Sequence, residues 1–224
     1  MSTEIFEQTR WSLADLLPVT EGPELDQILA DLEGAVAQME ARREELLPEM
    51  SEADFLDIMA LVEKLNVLAR RLGAYGALWH TEDTQDQDAL AFRGRMEKLL
   101  TEVQNRTLFF TLWWKGLDDE PAARLQAASG DNAYYLDSLR RFKPHTLSEP
   151  EEQIINLKDL NGVRALVTIY DMITNAFTFK VEIDGEVKEL TRAELMVYAR
   201  DPRPEVRAAI YQEQNRVYGE QSVV

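Results

Sequence analysis

The chain has 224 residues, 45% of them hydrophobic and 29% charged, with a net charge of −17 at neutral pH. That length accommodates one large domain or two small ones with ample core, and the acidic balance argues against a phosphate-neutralising, nucleic-acid-binding surface. The absence of cysteine excludes disulfides and thiolate zinc sites and suits a reducing cytoplasm; no apolar window approaches the roughly 18 residues of a membrane span.

The opening "MSTEIFEQTRWSLADLLP" has no basic segment followed by an apolar run and does not read as a signal peptide. The first predicted helix, "GPELDQILADLEGAVAQMEARREELL", aligns Leu25, Ile28, Leu32, Val36, Met39 and Leu46 on one face and closes at Pro48. The second opens on Ser51 as N-cap with Asp54 three residues on, and carries Phe55, Ile58, Val62, Leu65, Leu72 and Trp79 in its stripe. The polar stretch "HTEDTQDQD" separates it from a third helix over about Ala89 to Trp114. There Phe92, Met96, Leu99, Val103, Phe110 and Trp114 are in step, and Gly116 is the expected C-cap.

Beyond "LDDEP" an Ala-rich helix is expected to break at Gly130 and resume in "NAYYLDSLRRF". Ser148, Pro150 and Glu151 form the clearest helix start in the chain. A separate helix, "VRALVTIYDMITNAF", then leads into "FTFKVEIDGEVKELTRAEL". In that stretch the apolar spacing switches to strict alternation, with Phe177, Phe179, Val181 and Ile183 on one face. Asp184-Gly185 is a strong hairpin-turn signal. A two-residue turn pairs Ile183 with Glu186; a three-residue loop pairs Val181 with Val187, puts two valines on one face and is preferred. Thr191 with Glu194 is another capping box, and "DPRPEVRAAIYQ" starts a last helix. The fold class is mainly α: long antiparallel helices with one β-hairpin near residues 177–190, and a possible sub-boundary near 144–148.

The chain has two histidines, which limits acid–base and metal chemistry. His80 precedes Glu82, Asp83, Asp86 and Asp88, but a calcium loop needs a central Gly and a closing Glu, so the stretch reads as a solvated connection. His145 with Glu149 straddles a helix start and lacks H-E-x-x-H context; it reads as a capping or packing residue. "FFTLWW" is read first as a widely buried helix face, with Trp113 as the residue that could line a groove or domain interface. Phe177 and Phe179 are the other candidates for such a surface, since a two-stranded hairpin must lean on something. That support could be the helices of this chain or a part of the protein beyond it. No catalytic or metal-ligating set is found.

In order along the chain, "WSLADLLP", "FFTLWWKGL", "YYLDSLRRFKPHTLSEPEEQIIN", the hairpin and "ARDPRPEVRAAIYQ" resemble the N-terminal part of the oligoendopeptidase F family, zinc metallopeptidases related to thimet oligopeptidase. The resemblance implies a mostly helical peptidase whose N-terminal region faces a catalytic domain across a deep channel. It also implies zinc held by H-E-x-x-H and a later Glu, and short peptides as substrates. None of those ligands occurs in this chain. Residues 1–224 are therefore expected to be the N-terminal helical region of a larger oligopeptidase, lacking the catalytic domain. On that expectation zinc belongs to the parent and not to this chain, which is inactive alone. Its partner is the missing catalytic domain, against which the hairpin would dock. A free-standing acidic all-α protein-interaction module is the alternative.

Overall fold

The computed structural model describes residues 12–221; Trp11, in the opening motif, lies outside them. Two units are distinguished, one up to Val163 and the other from Arg164 onward. The division falls within a helical run and not near 144–148.

The first unit is built on three long helices, α1 (Pro23–Ala41), α2 (Glu52–Glu82) and α3 (Gln87–Gly116). At 1.5 Å per residue, α2 is about 45 Å long. Its start is fixed as the sequence predicts: Ser51 Oγ accepts from the Asp54 N–H at 3.1 Å. The α1 stripe from Leu25 to Met39 is buried, but the helix ends at Ala41, and Leu46 reaches the core from beyond a short 3-10 turn. The predicted stripe of α2 is buried up to Leu72, with Trp79 half-buried against it. Gly76 lets α3 come close, since a Cβ there would stand 3.3 Å from the Arg93 Cα.

The core is heavily aromatic at one end. The Phe55 and Trp114 rings stack at 5.4 Å, and burying each contributes on the order of 2–3 kcal/mol. α4 (Asp119–Ala128) and α5 (Ala133–Arg140) close over this end through Leu125 and Leu136. Between them Gly130 takes a φ of +54°, the predicted break. Gly116, by contrast, is the last helical residue of α3 and no left-handed cap. The carbonyls at this helix end are satisfied by side chains instead. Arg140 donates to the Trp114 and Leu117 oxygens at 3.0 Å, and Lys143 donates to Leu117 at 2.8 Å. Across the surface, Arg106 of α3 grips Glu33 and Glu40 of α1; all three are partly solvated, so the gain is modest.

α6 (Glu149–Asp159) starts with the predicted capping box of Ser148 and Glu151. It attaches to α3 through amides: Asn156 Nδ2 donates to Asn105 Oδ1 at 2.8 Å, and Gln104 Nε2 donates to Asn156 Oδ1 at 3.1 Å. Gln153 and Asn105 exchange side-chain to backbone bonds at 3.3 Å. Where two separate helices were expected, the backbone stays helical through a π turn over Leu160–Arg164.

The second unit comprises α7 (Ala165–Asn175), β1 (Phe179–Ile183), β2 (Glu186–Leu190), α8 (Arg192–Tyr198) and α9 (Pro204–Glu220). The strands are antiparallel with Ile183 opposite Glu186 and Val181 opposite Lys188. This is the two-residue turn, not the preferred three-residue loop. Asp184 and Gly185 have φ of 56° and 81°, the positive pair that a type I′ turn demands. The turn chemistry outweighs the valine pairing, and Val187 is left 73% exposed.

The hairpin's support is also in this chain. Phe179, Val181, Ile183 and Leu190 form a core with Leu195, Val206, Ile210 and Val217 of α8 and α9. The expectation that its apolar face docks on a missing domain is corrected: that face is already covered. Around the turn, Arg203 pairs with Asp184 and with Asp201, the latter at 2.9 Å.

Candidate functional site

Of the sequence-predicted candidates, Trp113 belongs to the first unit and Phe177 and Phe179 to the second. Trp113 lies half-buried in the aromatic cluster of the first unit, its ring 6.2 Å from Phe55 and 6.0 Å from Phe110. Among the described residues its buried indole N–H has no acceptor, which costs about 1–3 kcal/mol. Phe177 is half-buried edge-on against Tyr218 at 5.2 Å. Phe179 is fully buried and packs the hairpin core. Of the histidines, His80 is buried in the last turn of α2, not in a solvated connection. His145 is exposed in a 3-10 turn. Among the described residues, no three His, Asp or Glu side chains stand together so as to hold a metal ion. The donor set for zinc is therefore not present in them, and no zinc-dependent step can be derived from these side chains.

What the first unit does offer is a groove between α1, α2, α3 and α5. One cavity of about 330 Å³ is walled by Met39, Val62, Leu65, Val103 and Phe110; a second of about 330 Å³ extends toward Met59, Val67 and Arg70. Val62, Asn66 and Tyr135 line both. Burial pushes the Tyr135 phenol above its usual range, while a hydrogen bond with Asn66 and the Arg70 charge pull the other way. This is a concave apolar wall with a few polar groups, suited to binding and devoid of a nucleophile–base pair. Nothing local in the sequence marks it, because Tyr135 reaches it only through the packing of α5 on α2 and α3.

Each unit also has a sparsely buried helix, α6 in the first and α7 in the second. Ile154, Ile155, Leu157, Val163, Leu166, Val167, Ile169 and Tyr170 are all exposed, Leu166 at 66% and Ile169 at 52%. No residue of α6 or the π turn is buried, and only Thr174 of α7 is. The cause in α6 is visible: its contact with α3 is made by amide side chains, leaving its branched aliphatics free. Each unit thus leaves aliphatics of its own exposed: Ile154, Ile155, Leu157 and Val163 in the first, and Leu166, Val167, Ile169 and Tyr170 in the second.

No described helix is long and apolar enough to cross a membrane. The described elements define a mainly helical protein with one β-hairpin. In that class its fold is similar to the crystal structure of oligoendopeptidase-F from Enterococcus faecium, with a TM-score of 0.63 at 16% identity over 87% of this chain. A putative peptidase from Chlamydophila abortus also matches, at a TM-score of 0.46 and 16% identity over 94% of this chain. The chain spans 39% and 36% of those two structures. No curated protein matches it. Residues 114–179 match the family profile described as Oligopeptidase F. The resemblance seen in the sequence is thus borne out, and the matched stretch runs from Trp114 through the whole exposed apolar segment to the first residue of the hairpin.

Proposed function

We propose that this chain is the channel-wall part of a zinc-dependent oligoendopeptidase acting on short peptides, and that it is inactive without a catalytic portion that supplies the zinc ligands. The observation that carries this reading is the exposed apolar run from Ile154 to Tyr170, which lies inside the residues matching Oligopeptidase F. A helix such as α7, with one buried residue, gains little from burial in this chain and has most of its apolar area left for a partner. The natural partner is the catalytic portion of the same enzyme. A helical wall of this kind selects by size: it admits short flexible chains and keeps folded proteins from the reacting centre without touching the chemistry.

The reading is tested at the gene and at the bench. The coding frame that contains these residues is expected to continue into H-E-x-x-H with a Glu on a later helix. Its whole product is expected to cleave a quenched fluorescent short peptide and to lose that activity to a chelator. Residues 1–224 alone are expected to show neither cleavage nor stoichiometric zinc. An intact gene without the motif, or a zinc-loaded active 224-residue chain, overturns it.

A further inference from the structure

We propose that the outer edge of β2 is a docking edge for one extended peptide segment, apolar opposite Val187 and basic opposite Glu189. The proposal concerns the second unit alone and does not depend on the peptidase reading.

The two edges of the hairpin are not equivalent. With a two-residue turn, Ile183 and Glu186 exchange backbone hydrogen bonds, as do Val181 with Lys188 and Phe179 with Leu190. The alternate residues then point their N–H and C=O away from the partner strand. Lys180 demonstrates the alternation, since its outward N–H donates to Glu213 Oε1 of α9 at 2.9 Å. The edge of β1 is therefore occupied by a carboxylate and by α9 packed beside it. On β2 the same alternation turns the N–H and C=O of Val187 and Glu189 outward, and among the described residues none of these four groups has a partner.

Such a row, with donors about 6.8 Å apart, is the template on which an extended backbone adds as a new strand. Side chains of the incoming strand opposite Val187 and Glu189 share the solvent face with them. Val187 presents 73% of its surface there. The face is acidic: Glu182 and Glu189 share it with Lys180, whose ammonium lies 3.6 Å from Glu189. Lys188 is on the opposite face, engaged with the Tyr198 hydroxyl at 3.2 Å. A basic residue across from Glu189 is thus complementary, and an acidic one is repelled.

The probe is acetyl-Thr-Arg-Thr-Val-Thr-amide added at millimolar concentration to the isotope-labelled 224-residue chain. Bound antiparallel, it sets Arg opposite Glu189 and Val opposite Val187. The expected result is amide exchange at Val187 and Glu189 slowed at least about tenfold, with the amide of Lys188, already bonded within the hairpin, little changed. N-methylation of the peptide's Arg and Val is expected to abolish the effect. Replacing its Arg by Glu weakens binding about two- to fivefold, a difference that vanishes in E189Q. V187P removes an edge donor the hairpin itself does not use and is expected to lose the peptide while keeping the Phe179 resonances. Unchanged exchange at saturating peptide, equal binding of the N-methylated peptide, or protection confined to the Asn66 groove overturns the proposal.

Discussion

Trp114 donates its indole N–H to the carbonyl of Leu136 at 2.9 Å, tying the end of α3 to α5 from inside the aromatic core. Both side chains are fully buried, so the bond is shielded from water and holds the lid helix in one register over Phe55. Trp114→Phe keeps an aromatic ring but loses the donor and part of the volume. It is expected to destabilise the first unit by about 1–3 kcal/mol, seen as a lower urea midpoint with unchanged m-value.

Asp201 carries the pH prediction. Hydrogen bonds from Arg203, side chain first and backbone second, lower its carboxyl from 3.8 to about 2. A depressed carboxyl stabilises the folded form above its unfolded value and loses that contribution as pH falls through the folded one. Melting temperatures measured by circular dichroism should therefore begin to lose this contribution just below pH 4 and have lost it near pH 2. In D201N that part of the acid dependence is expected to be missing. The loop it stabilises joins α8 to α9, so the loss should appear in the second unit's amides first.

The Asp184-Gly185 turn makes its own prediction. Gly185 sits at a φ of 81°, where a Cβ meets no neighbouring atom but the backbone itself disfavours L-residues. Gly185→Ala is expected to cost about 1–2 kcal/mol, read as faster hydrogen exchange across β1 and β2. Unchanged exchange would mean the turn does not set the register.

Exposed aliphatics on α7 separate surface from core. Replacing Leu166 and Ile169 by Ser should change stability by no more than about 0.5 kcal/mol per site, because neither is buried. Binding of a hydrophobic dye by the 224-residue chain is expected to fall clearly. A large loss of stability would show instead that these residues are covered in solution.

These sites also show what was legible in the sequence. Ser51 with Asp54, Ser148 with Glu151 and Thr191 with Glu194 are local devices, and each was readable because a cap is specified within four residues. The hairpin was legible for the same reason, but its register was not. Two positive-φ residues and a pair of valines pointed to different answers, and the backbone requirement of the turn prevailed at the expense of Val187. The support of the hairpin lay out of reach. Val206, Ile210 and Val217 are spaced as on any amphipathic helix, and nothing local says that a strand will lie on them. The α6–π–α7 run was read as two helices, and the π turn that joins them has no local signature in the sequence. The groove around Asn66 and Tyr135 left no trace, since residues nearly 70 positions apart meet there only by tertiary packing.

Glu213 has a consequence of a different kind. By filling the middle of the β1 edge it makes the hairpin a template with one live side. Two-sided templates polymerise, because each added strand exposes the next edge. Here two molecules pairing β2 to β2 would close a four-stranded sheet about a twofold axis, with a carboxylate stopper at either end. Self-association through this sheet is therefore expected to halt at two copies at any concentration. Glu213→Ala would open the way to longer assemblies, visible as sedimentation beyond the dimer.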